Sequence, residues 1–142
     1  MDKQDPRREV FACFGEAAYY AQLFETQVEN LILLVALARD KNISREKLEK
    51  IDIGLSRKSL GTLIAELKKH LELSPEFEEL MRTYQEKRNY LMHDYFFQNS
   101  GKLALASGCD AMAVELQTLA SLFNEAVLIA QDMAEKLNAM IR

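Results

Sequence analysis

Two residues late in the chain could do acid–base chemistry together. Arg88 and His93 stand five positions apart in RNYLMHDYF, residues 88 to 96. A histidine titrates near neutral pH, so it can take or give a proton during a reaction. An arginine keeps its charge and offers a planar fork of donors to an anionic oxygen. Asn89 lies one helical turn before His93 and can hold either the ring or an anionic oxygen. The set fits a reaction in which a proton moves while negative charge builds on oxygen.

Other chemistry-bearing sets are missing. The chain has 2 histidines. His70, in KKHLEL, suits the negative end of a helix dipole together with Lys68 and Lys69. Glu25 and Glu29 are one turn apart, but no histidine accompanies them at ligand spacing, so no metal site is expected. No glycine-rich phosphate loop or nucleophile elbow is present. Neither a metal nor a cofactor is expected.

The elements that position Arg88 and His93 are helical. Asp5 and Pro6 make a cap and first turn for a helix running to Arg39. Its apolar residues keep helical spacing from Phe11 to Ala38, over roughly 50 Å. A short helical turn follows at SREKLEKI, then a loop to about Ser56. A second helix is expected from about Arg57 to Leu71. Ser74-Pro75-Glu76 is a strong start signal for a third, which runs to about Phe97 and carries the Arg-Asn-x3-His segment. Ser107-Gly108 reads as an irregular connection, and Asp110 as the cap of a fourth helix from Ala111 to about Met140. No segment alternates with period two. The expectation is one all-α domain over residues 1–142, an antiparallel four-helix bundle with two long helices and a short extra turn.

On a helical wheel at about 100° per residue, Leu91 centres the core stripe of the third helix and Tyr95 falls inside it. Arg88 sits on its border. Asn89 and His93 face away. Met92 and Phe96 flank them on one side, Tyr90 and Phe97 on the other. The outer face is therefore apolar and aromatic as well, where a bundle helix is ordinarily polar. A second copy of the chain could cover Tyr90, Met92, Phe96 and Phe97, which predicts a two-fold homodimer. His93 alone reads more readily as a hydrogen-bonded interface histidine; with Arg88, Asn89 and Tyr95 beside it, the catalytic reading stands level.

Composition bounds the rest. The chain has 142 residues, 49% hydrophobic and 28% charged, with 2 cysteines and a formal net charge of −4. That is a globular composition. The opening MDKQDPRREV is too polar for a signal peptide. The longest apolar run, LILLVALA, is too short to cross a bilayer. A cytoplasmic protein without a membrane span is expected. The charge is uneven. Residues 39–69 hold nine of the 18 basic and five of the 22 acidic residues, a local +4 against −8 elsewhere. This is either a surface for phosphate or a solvated helical corner.

Arg88-Asn89-Tyr90-Leu91-Met92-His93 resembles the Arg-x4-6-His motif of the HEPN superfamily of helical-bundle proteins. With Asp94-Tyr95 it resembles the Arg-x4-His-x-Tyr form of HEPN toxins encoded beside small nucleotidyltransferase antitoxins. The resemblance implies a metal-independent endoribonuclease of a toxin–antitoxin or phage-defence system, with its site at a dimer interface. Arg88 and His93 would be catalytic, Asn89 supporting, and RNA the substrate. It also implies a nucleotidyltransferase-type partner that transfers AMP to Tyr95. A second resemblance stands beside it. The mannitol-operon repressor family carries a similar Arg-Asn-x-x-Ala-His segment. It implies a non-catalytic regulatory module in which Arg88, Asn89 and His93 lock helices or bind a partner.

Overall fold

A serine or aspartate side chain starts each of the first four helices. In the computed structural model, which describes residues 2–141, Asp5 accepts a hydrogen bond from the Arg7 amide at 2.9 Å and opens α1, Pro6–Arg39. Ser44 accepts from the Lys47 amide and opens α2, Arg45–Ser56. Ser59 does the same for α3, Leu60–His70, and Ser74 for α4, Pro75–Asn89. Each cap satisfies an amide that the first helical turn leaves unpaired. A π turn follows at Tyr90–Asp94, then α5, Tyr95–Asn99, a 3₁₀ turn at Ser100–Ala104, and α6, Ala106–Ile141. The fold is all-α, with no strand among the described residues.

The two long helices, α1 and α6, form the spine, and they run the same way. Cys13 accepts a hydrogen bond from Gln117 Nε2 at 3.7 Å, Tyr20 and Asn124 flank one shallow groove further along, and Val28 and Val127 share a core beyond that. An antiparallel order between all neighbours therefore does not hold for this pair. α4 runs against both, with Met81 and Tyr84 in the later part of the core and Leu91 beyond them in the earlier part. Both spine helices are long and apolar enough to cross a bilayer by length and composition. The short LILLVALA run conceals this, because alanines spread the hydropathy along each helix. Here their buried stripes meet and make the core.

That core has two parts. One joins the second half of α1 to α3, α4 and the later part of α6, through Phe24, Leu31, Leu63, Leu67 and Tyr84. The other joins the first half of α1 to the π turn, α5 and the first half of α6, through Val10, Leu91, Tyr95, Met112 and Phe123.

Three boundaries differ from the sequence expectation. The third helix does not run unbroken to Phe97, because the π turn interrupts it. The short turn at SREKLEKI is a 12-residue helix, which moves the next start to Leu60. The last helix begins at Ala106, before Asp110, and takes in Ser107 and Gly108. Gly108 is there to let backbone pass. A Cβ at that position would lie 2.8 Å from the Lys102 carbonyl carbon and closer still to its oxygen.

Candidate functional site

The π turn decides where the chemistry-bearing residues go. In a π turn the bond reaches back five residues instead of four, which adds one residue to the helical repeat. Everything after it is rotated by about 100° relative to a continuous α-helix. The rotation carries Asn99 from the flank of the stripe into the core, where it is 5% exposed. It turns Phe96 inward against Phe14, with ring centroids 4.9 Å apart, and turns Phe97 out to 86% exposure.

The same turn brings Arg88 and His93 together. An α-helix separates residues five apart by about 140° around its axis. With the wider turn between them, Arg88 Nη1 lies 3.4 Å from His93 Nε2. A guanidinium can only donate, so Nε2 must be the acceptor in this bond, which requires the tautomer with its proton on Nδ1. The contact is long for a hydrogen bond and so is easily displaced. His93 and Asn89 are both exposed.

Arg88 is held from the other side. Its Nε donates to Glu25 Oε1 at 2.6 Å, with both side chains less than a quarter exposed. This charge-assisted bond ties α4 to α1 through Nε and leaves the terminal nitrogens on the side of His93, which Nη1 approaches. Sequence reasoning missed Glu25 as the partner of Arg88. A carboxylate inside an apolar helix was the available sign. Glu29, one turn on, has its carboxyl pushed up by burial and by the nearby Asp52 and Glu25 charges.

The exit of the turn is fixed by a polar network. Tyr90 donates to Glu115 Oε1 at 2.8 Å and accepts from Asn99 Nδ2 at 3.0 Å. Asn99 Nδ2 also donates to the Tyr95 carbonyl at 2.8 Å. The Tyr95 hydroxyl donates to the Met112 carbonyl at 3.2 Å, and the residue is 1% exposed. Burial, with the Glu115 carboxylate nearby, pushes this phenol well above its ordinary range. The candidate modification site is thus inside the core in this conformation. The rotation by the π turn moves Tyr95 from about 40° on one side of Leu91 to about 60° on the other, so it stays on the buried stripe.

The four residues expected at a dimer face separate into two kinds. Phe97 projects freely. Tyr90, Met92 and Phe96 are half-buried against their own chain's core: Tyr90 bonds Glu115 of α6, and the π turn swings Phe96 against Phe11 and Phe14 of α1. Phe11, 44% exposed, extends the outward aromatic surface beside Phe96.

Among the described residues no three His, Cys, Asp or Glu side chains converge to hold a metal. Cys13 and Cys109 are buried thiols. The Cys13 thiol, donating to Glu9 at 3.4 Å, is pushed up chiefly by burial. Comparison with family models, curated proteins and solved structures returns no match. What the site can do is therefore argued from its geometry.

Proposed function

We propose that the chain is a HEPN-type, metal-independent endoribonuclease, a four-helix bundle of α1, α3, α4 and α6 that works as a cytoplasmic homodimer in a toxin–antitoxin or phage-defence system. The observation that supports it is the approach of Arg88 to His93 across the π turn. Metal-free RNA cleavage uses the substrate's own 2′-hydroxyl. Its oxygen attacks the adjacent phosphorus while the P–O5′ bond breaks, leaving a 2′,3′-cyclic phosphate and a 5′-hydroxyl. His93 Nε2 takes the 2′ proton, and the departing O5′ gains a proton in turn. The phosphate draws Arg88 off the ring, which frees Nε2 and places the guanidinium against the charge that builds on phosphorus-bound oxygen. Glu25 positions Arg88 for this, and Asn89 supplies a further donor. The second copy would cover Phe97 and Phe11 and bring two such sets into one cleft. A nucleotidyltransferase-type antitoxin would reach Tyr95 only after α5 opens.

One observation favours a second reading. The Arg88 Nε–Glu25 ion pair joins two helices. That is what a regulatory module of the mannitol-operon-repressor kind would need from this arginine.

The test is cleavage of tRNA, mRNA and total RNA by purified protein in EDTA, beside Arg88→Ala and His93→Ala. The nuclease predicts cleavage by the parent alone, with cyclic-phosphate ends. Expression should arrest growth, and His93→Ala should relieve the arrest. Cleavage retained by His93→Ala would sink the assignment.

A further inference from the structure

About 10–20 Å along α1 from Glu25, the end of α1, one face of α2 and the end of α3 surround an open cavity of about 510 Å³. That volume lies within the range of small-ligand sites, roughly 300–1,000 Å³. Its floor is aliphatic, made by Ile32, Val35, Ile43, Ile51 and Leu55. Its rim carries Arg39, Lys47, Lys50 and Lys58 against Asp40 and Glu66. Lys50 is paired with Glu46 at 3.6 Å. Arg39, Lys47 and Lys58 make no ion pair among the described residues. His70 also lines the cavity, and its buried Nδ1 has no hydrogen-bond partner among the described residues. In a chain of net charge −4, this is where positive charge collects over an apolar floor.

Chemistry narrows the occupant. Proteins hold nucleobases chiefly by stacking them on aromatic rings. No Phe, Tyr or Trp lines this cavity among the described residues. An aliphatic floor suits an alkyl chain, and the rim cations suit one anionic head. We infer that the cavity binds an anionic amphiphile, its aliphatic tail on the isoleucine floor and its carboxylate or phosphate head against Arg39 and Lys47, which flank the short connection from α1 to α2. The site is separate from Arg88 and His93 and does not depend on the ribonuclease proposal.

Gly54 provides a test that spares the fold. It lies on the same α2 stripe as Lys47, Lys50 and Ile51, and a Cβ there meets nothing within 4 Å. Leucine is also the better helix former, so Gly54→Leu should fill the cavity and melt no lower than the parent. The full chain is titrated calorimetrically with decanoate and decyl phosphate below micellar concentrations, beside decanol and inorganic phosphate. Saturable binding of both amphiphiles is expected, with each control weaker by about tenfold or more. Gly54→Leu should abolish binding. Arg39→Glu with Lys47→Glu should weaken the two anions about tenfold and leave decanol unchanged. Absence of saturable binding, or binding unaltered in Gly54→Leu, would overturn the proposal. So would binding to phosphatidylglycerol vesicles without binding of free decanoate, which would make this a membrane-facing surface.

Discussion

At the α2–α3 end of the spine the core is mostly aliphatic, the helices are regular and each begins on a side-chain cap. At the other end aromatic rings pack on small residues of α1 and α6, and the chain passes through a π turn, a short helix and a 3₁₀ turn within fifteen residues, Tyr90–Ala104. Regular helices bury a stripe and leave their outer faces interchangeable. The irregular segment aims particular side chains at particular partners: Arg88 at His93, Tyr90 at Glu115, Asn99 at the Tyr95 carbonyl. A π turn is less favourable than α-helix on its own and persists where surrounding contacts over-determine it. The candidate chemistry therefore sits where tertiary packing, more than local propensity, sets the backbone.

Two helical glycines give the largest contrast between the ends. Gly108→Ala would drive a methyl into the Lys102 backbone, which cannot move aside as a flexible side chain can. The expected cost is about 1–3 kcal/mol after overpacking is set against the gain in helix propensity. Gly54→Ala meets open space and should stabilise by about 0.4–1 kcal/mol. Denaturant midpoints of the two variants should move in opposite directions. Equal shifts would show that the 3₁₀ turn yields easily, and would weaken the view of that end as over-determined.

Next in size is the tie between α1 and α4. Arg88 and Glu25 are each only about a fifth to a quarter exposed, so their pair is worth more than a solvated surface bridge. A double-mutant cycle of Glu25→Gln with Arg88→Ala should return a coupling of about 1–2 kcal/mol. A coupling near zero would mean that Glu25 does not position the guanidinium.

The two buried tyrosines of the α4–α5 stretch sharpen the comparison further. Tyr95 donates to the Met112 carbonyl. The Tyr84 hydroxyl, equally buried, finds no partner among the described residues. Tyr95→Phe should cost about 1 kcal/mol through the lost bond, and Tyr84→Phe should be neutral or stabilising by up to about 1 kcal/mol. Thermal melts of the pair check the sign. A destabilising Tyr84→Phe would imply that its hydroxyl is solvated or bonded in solution.

Much of the regular end, and the start of the irregular one, is legible in the sequence. Asp5-Pro6 and Ser74-Pro75 announce their helices because caps and first-turn prolines act locally. Tyr95 stays inward on either reading, because it lies about 40° to one side of Leu91 on a fixed-angle wheel and about 60° to the other after the turn's rotation. The π turn is not legible. YLMHD contains no glycine or proline to announce it, and a wheel at fixed angle per residue passes straight through it. Such a wheel puts Phe96 on the outer face, whereas the turn packs it on Phe14. Ser107-Gly108 reads as a break because glycine usually is one, whereas here it admits the Lys102 carbonyl beside an unbroken helix. Glu25 lies 63 residues from Arg88, and no local pattern connects them.

The smallest expected change in stability belongs to the residue with the largest proposed part in chemistry. His93 is exposed, and among the described residues its one side-chain hydrogen bond is the 3.4 Å approach from Arg88. His93→Ala should therefore alter stability by no more than about 0.5 kcal/mol. In the nuclease it should still remove RNA cleavage, since no second histidine stands near. Were His93 instead a lock between helices, the same substitution would lower the melting temperature. Measuring the melt and the cleavage on one preparation separates the two roles. A stable, inactive variant supports a reacting histidine. A destabilised one moves His93 into the packing of the irregular end and leaves Arg88 as a structural tie.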